Sequence, residues 1–343
     1  MKVISLFNHK GGVSKTTTAF NLGWMLGELG HKTLVVDADP QCNLTALVLG
    51  YNSVDDIEEY YLKNPGCDLS TGLQPVMSGR LTGLVAGSPA ETENPNLYIY
   101  CGNLALSEIE TQVSVALTTS TAIPAIRNLP GSIGELLRMT GQEHEFDYII
   151  VDMSPSVGAL NECLLMSSDY FIIPTSPDFF CAQAIKSLSS VIPRWNADVA
   201  PFRASTVDYR LPENPPKFIG FISQRYRPRS GAPAKSFQRW IDVIKETVSN
   251  KLIPSLHPIG MAISEDEFNK YSKTGEPYNL ANVADFNSLI AQSQKFNVPV
   301  FALADEQLEQ GGVILDNMKE SRDNFKLVFR KMAEEIHEMT ENL

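Results

Sequence analysis

The 343-residue sequence has no run of eighteen apolar residues, and its apolar opening, Val3-Ile4-Ser5-Leu6-Phe7, is short. Neither a membrane span nor a signal peptide fits that pattern, and a cytoplasmic location is expected. Cysteine is scarce: Cys42, Cys67, Cys101, Cys163 and Cys181 are scattered, odd in number and without a C-x-x-C pair. Such a set argues against a disulfide framework, a zinc site or an iron–sulfur cluster, and for reduced thiols. Positive charge is also in deficit, with a formal net charge of -12 that disfavours nucleic acid and anionic lipid wherever it is spread evenly. Tandem repeats, heptad arrays and low-complexity tracts are missing, and no tyrosine follows Tyr278.

The most informative stretch runs from Asn8 to Thr18, NHKGGVSKTTT, directly after the opening strand. A glycine pair followed by Lys-Thr lets backbone N–H groups converge on an anion, and a helix opening at Lys15-Thr16 aims its positive dipole end at the same place. Gly11, Gly12, Val13, Ser14, Lys15, Thr16 and Thr17 therefore form a candidate phosphate cradle. In it Lys15 would neutralise the β and γ phosphates of a nucleotide and the Thr16 hydroxyl would ligand Mg²⁺. Lys10 stands where the common phosphate loop has glycine, so this cradle carries a second lysine at its start.

Helix 1 is expected from about Lys15 to Leu29, stopped by Gly30, followed by a buried strand Thr33 to Val36 that ends in Asp37-Ala38-Asp39-Pro40-Gln41. Acidic residues at the carboxyl end of a parallel strand sit where open α/β sheets place their ligands; a plain Asp-capped turn is the bland alternative. Phe146 to Asp152 has the form of a Walker B strand, with Asp152 reaching Mg²⁺ directly or through water. Further strands are expected at Leu97–Cys101, Asp169–Pro174 and Lys217–Ser223, with Gln224 at the last strand's end. The prolines from Pro193 to Pro216 suggest a long surface connection. The acidic cluster Asp55, Asp56, Glu58 and Glu59 reads as a solvated helix face.

Charge is uneven. Arg225, Arg227, Arg229, Lys235, Arg239, Lys245 and Lys251 outnumber Asp242 and Glu246 in one segment that also holds Tyr226, Phe237 and Trp240. A DNA-gripping surface and a helix that packs its aromatics inward fit this pattern equally. In the tail, Phe325, Val328, Phe329, Met332 and Ile336 recur at helical spacing, with Glu334, Glu335, Glu338 and Glu341 among them. This favours a core-packing helix over a basic membrane-surface one. We expect one domain over residues 1–343, with a variable insertion at about 51–96 and a C-terminal helical region at about 280–343.

The string K-G-G-V-S-K-T-T resembles the deviant Walker A box of the ParA/MinD family of ATPases, and D-A-D-P-Q is similar to that family's second box. The resemblance implies an α/β fold, a doubly wound, mainly parallel sheet with helices on both faces, with ATP and Mg²⁺ as cofactors and a homodimer that closes on ATP. Lys10 would reach into the partner's nucleotide and act where other NTPases use an arginine finger. Lys15 would be the cis phosphate lysine, Asp39 would position the attacking water, and Thr16, Asp37 and Asp152 would serve the metal. Gln224 takes the place of a residue facing adenine, and Ile253–Met261 with Thr274–Pro277 are similar to the last nucleotide-side loop. Where the family usually has D-x-P-P this chain has Asp152-Met153-Ser154-Pro155, one proline fewer. The implied role is ATP-timed, non-specific DNA binding in plasmid or chromosome partition, with a stimulating partner of ParB type, no membrane, and a nucleoid-associated location if DNA is bound. A MinD-like adaptor that recruits a protein without DNA is the alternative. Related metabolic ATPases lack support without a cysteine pair, as do tyrosine kinases of the lineage without C-terminal tyrosines.

Overall fold

The structure is a computed structural model that describes residues 1–51, 53–79, 83–119, 126–204, 206–229 and 232–343. Its strands are β1 (Lys2–Leu6), β2 (Thr33–Ala38), β3 (Ala90–Glu91), β4 (Leu97–Tyr100), β5 (Tyr148–Met153), β6 (Tyr170–Thr175), β7 (Lys217–Tyr226), β8 (Pro228–Arg229), β9 (Ala232–Pro233) and β10 (Asn279–Ala284). Its helices are α1 (Lys15–Glu28), α2 (Asn43–Leu49), α3 (Val54–Lys63), α4 (Leu69–Met77), α5 (Leu106–Thr119), α6 (Leu129–Glu143) and α7 (Ala159–Ser167). These are followed by α8 (Phe179–Asp198), α9 (Lys235–Thr247), α10 (Ile253–Leu256), α11 (Glu265–Tyr271), α12 (Leu289–Phe296) and α13 (Gly312–Asn342).

Eight strands form one sheet in the order β10-β7-β6-β1-β5-β2-β4-β3. Every pairing in it is parallel except β3 with β4. All residues of β2, β5 and β6 are buried, so both faces of the sheet are covered, as parallel strands require. The expected α/β class and mainly parallel sheet are what the chain forms. β8 and β9 make a separate short antiparallel pair.

Helix α1 lies against the sheet and α13. It approaches β2 so closely that a Cβ on Gly23 would come within 2.5 Å of Val35 Cγ1, and a Cβ on Gly27 within 2.8 Å of the Asn94 side chain. Asn94 in turn donates to Trp24 O at 3.0 Å and Asn96 to Gly27 O at 3.1 Å, tying the turn before β4 to the same helix. The α1 C-terminus is left through Gly30 in the left-handed region, as the sequence implied.

The tail forms the long α13, which buries Phe325, Phe329, Met332 and Ile336 in the core. Glu335 on the same helix is buried as well, and its Oε2 accepts the Lys273 N–H at 3.0 Å. The acidic cluster lies exposed on α3. In the same stretch Leu69 and Leu73 of α4 are buried and β3 extends the sheet edge; within it, residues 52 and 80–82 lie outside the described residues. All five cysteines are buried and unpaired. One expectation needs correction. The connection expected from Pro193 begins later, because α8 runs through Pro193 to Asp198, held by the buried Ile192 and Trp195 on either side of the missing N–H. α6 is entered with a proline in its first turn.

Candidate functional site

β1 lies between β6 and β5, and the chain leaves its carboxyl end directly into residues 8–14. Two positions there take the left-handed conformation, Gly12 at φ 73° and Ser14 at φ 60°. The latter is uncommon for a residue with a Cβ and turns the chain sharply into α1. The Ser14 carbonyl accepts from the Thr18 N–H at 2.9 Å and the Thr18 hydroxyl at 2.7 Å, fixing the loop on the helix start.

Gly11, Gly12, Val13, Ser14, Lys15, Thr16 and Thr17 line a cavity of about 520 Å³, together with Asp39, Gln41, Asn43, Met153, Arg225 and others. Lys15 is buried and its Nζ donates to Asn8 O at 2.9 Å and to Lys10 O at 3.4 Å. Burial lowers its proton affinity against the pull of Asp152 and Asp39. Lys10 points elsewhere: its Nζ pairs with Asp178 Oδ2 at 2.5 Å, on the residue that caps α8 by accepting the Cys181 N–H at 2.9 Å. Beside that pair Phe179 and Phe180 are 49% and 68% exposed.

The acidic residues converge by strand register. Asp37 of β2 lies opposite Asp152 of β5, and Leu6 of β1 lies opposite Asp152 on its other side. Asp37 Oδ2 accepts from the Thr45 N–H and hydroxyl, each at 2.8 Å, and its Oδ1 accepts from the Asp39 N–H at 3.2 Å. Burial nevertheless pushes Asp37 up to about 6. Both Asp152 oxygens are buried without a hydrogen-bond partner among the described residues. Burial and the Asp37 charge push Asp152 up to about 8, against the nearby Thr16 hydroxyl and Lys15. An orphaned carboxylate beside a second carboxylate and a hydroxyl is a donor set that suits a hard cation. Among the described residues no cluster of three His, Cys, Asp or Glu holds a metal unaided, so such a cation would need phosphate oxygens and water to complete its shell. Asp39 sits at the cavity wall, its Oδ1 accepting the Gln41 N–H at 3.0 Å.

Two positions differ from expectation. Gln224 does stand near the end of β7, but its side chain is buried and its Nε2 donates to Thr18 Oγ1 at 2.7 Å and Val13 O at 3.4 Å. It braces the cradle from beneath, and facing a base would require breaking both contacts. The stretches 253–261 and 274–277 do not line this cavity. Residues 274–277 precede β10, which runs parallel to β7, and so lie at the amino end of the sheet, away from the cradle. Sequence reading missed the residues that close the cavity instead. Arg225, at φ 61°, donates from Nη1 to Gly12 O at 2.8 Å, and Gln294 of α12 lines the wall. A basic residue just past the strand expected at Lys217–Ser223 was a readable signal for Arg225, which the structure places within β7. Gln294 had none.

The basic segment follows directly. Arg227, Lys235, Arg239 and Lys251 are exposed and enter no ion pair among the described residues, whereas Lys245 is committed to Glu276 at 2.7 Å. Arg229 lies on β8 with its side chain outside the described residues. Trp240 of α9 packs on Phe179 with ring centroids 6.0 Å apart.

Comparison with known proteins follows the same lines. A family model described as an AAA domain matches residues 1–201, which hold the cradle, both acidic strand ends and Asp178. An uncharacterized protein of Methanocaldococcus jannaschii is 29% identical over 277 residues, covering 81% of this chain and 90% of that one. The chromosome partitioning protein ParA of Caulobacter vibrioides is 29% identical over 202 residues, 59% of this chain and 66% of that protein. Among solved structures, apo McdA of Cyanothece superposes with a TM-score of 0.59 at 18% identity, covering 94% of this chain and 99% of that one, a likeness of fold. No helix among the described residues is long and apolar enough to cross a membrane. The chain belongs to the ParA/MinD/Soj type of P-loop ATPase with a deviant Walker A box, a group of ATP-driven dimerising ATPases.

Proposed function

We propose that this chain binds ATP with Mg²⁺, closes as a homodimer around two nucleotides, holds DNA without sequence preference in that state and releases it on hydrolysis, serving partition of a plasmid or chromosome. The position of Lys10 carries the reading. Lys15 lies within the cavity, whereas Lys10 is held at its rim by Asp178, beside two exposed phenylalanines. Exposed aromatics next to a lysine that does not enter its own cavity fit a face that a second copy covers. On closure Lys10 would exchange Asp178 for the partner's phosphates, where a cation stabilises developing charge as an arginine finger does.

Within one chain, Lys15 and the cradle N–H groups would hold the β and γ phosphates. Thr16, Asp37 and Asp152 would hold Mg²⁺, which supplies charge neutralisation of the phosphates, and Asp39 would orient the attacking water. Arg225 would close the loop from above. Arg227, Lys235, Arg239 and Lys251, exposed and without an ion pair among the described residues, support the DNA part, because they concentrate positive charge on an otherwise acidic protein. Similarity to a chromosome partitioning protein points the same way. The test is a titration of the purified chain with DNA of unrelated sequences, without nucleotide, with ADP and with ATP. Binding confined to the ATP state and indifferent to sequence is the expected outcome. ATP-driven dimerisation without any DNA binding would replace partition by a positioning adaptor that recruits a protein partner.

A further inference from the structure

None of the described residues from 51 to 96 lines the cradle cavity, yet α3 encloses a smaller cavity against the loop that leaves β2. It measures about 190 Å³, and its walls include Gln41 and Cys42 after β2, Ile57, Glu58 and Tyr61 of α3, and Leu104 after β4. That volume is below the roughly 300–1,000 Å³ of sites for cofactors and drug-sized ligands, and suits one large side chain. The interior is mainly apolar. Burial pushes the Cys42 thiol up to about 12, so it stays protonated and behaves as a small apolar group. The Tyr61 hydroxyl donates to Gly102 O, so what Tyr61 offers an occupant is its ring.

The rim is of two kinds. Leu104 is 56% exposed, and Leu62, one turn of α3 beyond Glu58, is 85% exposed. Asp55, Asp56 and Glu58 are exposed and enter no ion pair among the described residues, whereas Glu59 is matched by Lys63. An apolar hole edged by exposed leucines and bare carboxylates suits an occupant that is apolar at one position and basic beside it.

We propose that this cavity is a docking point for a partner protein, which inserts one side chain of leucine to phenylalanine size from a segment with lysine or arginine next to it. A second copy of this chain would bring the same α3 carboxylates and another net charge of -12, so charge favours a different partner. A free apolar molecule would leave the rim carboxylates unanswered.

The docking point bears on the cradle by two routes. Gln41 lines both cavities, and its N–H is held by Asp39 Oδ1. Gly102, two residues before Leu104, lies so close to Asp37 that a Cβ there would meet Asp37 Cγ at 2.9 Å. Its N–H donates at 2.9 Å to Thr45 Oγ1, whose hydroxyl in turn donates to Asp37. Resting on the reading of the cradle as an ATP site, an occupant that shifts Gln41 or Gly102 changes ATP affinity, and ATP changes the occupant's affinity by the same factor.

The test is calorimetric titration of the full chain, first without nucleotide, with three synthetic helical peptides: one of lysine and leucine, one with glutamate in place of lysine, and one with alanine in place of leucine. Binding of the first alone is the expected result. Leu104→Ser should weaken it by about tenfold or more, and Asp55→Asn with Glu58→Gln should weaken it and flatten its salt dependence. Leu327→Ser, at a leucine 51% exposed on α13, should leave it unchanged. Equal weakening by the Leu327 variant, or no loss in Leu104→Ser, would overturn the site. Equal binding of the glutamate peptide would overturn the basic-segment assignment, and equal binding of the alanine peptide would overturn the inserted apolar side chain. Nucleotide-free self-association that Leu104→Ser abolishes would pass the cavity to a second copy. Because these arms need no nucleotide, a chain that fails to bind ATP leaves them standing. The link is then read by repeating the titration with a non-hydrolysable ATP analogue and Mg²⁺, where a shifted peptide affinity is expected. Unchanged affinity in a chain that binds the analogue would overturn the link.

Discussion

The two lysines of the cradle differ in what they touch, and the difference is measurable. Lys15 is buried against loop carbonyls within the cavity, so Lys15→Ala should abolish ATP binding by removing the charge at the phosphates. Lys10 contacts Asp178 and not the cavity, so Lys10→Ala should leave ATP binding to the monomer near wild type. Its hydrolysis should fall by a factor on the order of 10³ or more, the scale of a lost arginine finger. Equilibrium nucleotide binding and steady-state hydrolysis on both variants separate the roles, and equal loss of both in Lys10→Ala would place it in cis. The cradle was readable in the sequence because its chemistry is local: glycine, lysine and hydroxyl within eleven residues decide where N–H groups point. Gln224 and Arg225 were not readable to the same degree. Which of two neighbours turns under the loop and which over it depends on how β7 ends beside a segment some two hundred residues earlier, and on the left-handed backbone at Arg225.

At the scale of elements, α8 and α9 link the nucleotide rim to the basic surface. Asp178 both pairs with Lys10 and caps α8, and Phe179 at the start of that helix packs on Trp240 of α9. The proposed dimer closure, in removing Lys10 from Asp178, would thus act on the first turn of the helix that supports α9. Replacing Arg227, Lys235 and Arg239 by Ala should lower DNA affinity evenly across sequences in the ATP state. It should also flatten the salt dependence, since each phosphate contact contributes about -0.9 to the slope of log K against log salt. ATP-driven dimerisation, followed by gel filtration, should survive. A triple variant with unchanged affinity and slope would return these residues to the plain role of a solvated helix face. The buried strands were legible because apolar runs bounded by turns have few other uses in a chain of this length. The cavity beside α3 was not, because Gln41, Tyr61 and Leu104 meet only after three separate segments have packed.

For the molecule as a whole, several buried carboxyl groups hold protons more tightly in the folded chain than they would unfolded: Asp152 at about 8, Glu162 and Glu335 at about 7 and Asp37 at about 6. Burial is the largest cause for each. A folded state that binds more protons than the unfolded one loses stability as pH rises, from the ordinary carboxylate range up through these values. The ligand-free chain should melt at a lower temperature at about pH 8 than at about pH 5.5, the reverse of a protein held by ionised carboxylates. Glu335→Gln keeps an acceptor for the Lys273 N–H and removes one of the titrating groups. It should raise the melting temperature at the higher pH and flatten the profile, as scanning calorimetry at several pH values would reveal.

The seating of α1 on β2 has a consequence for how such a molecule divides its motions. With Gly23 leaving no room for even a methyl group above Val35, the helix that carries the cradle and the strand that carries Asp37 and leads into Asp39 should move as one plate. Amide hydrogens in the middle of α1, from Ala19 to Leu26, should then exchange with solvent deuterium only when the entire sheet opens. Those from Ser154 to Gly158, on the turn that Glu110 leans against, should exchange through small local openings. On the proposed function, displacement is thereby assigned to one side of the cradle: a nucleotide's phosphates would be gripped by a fixed wall, and whatever signals their loss would depart through the other.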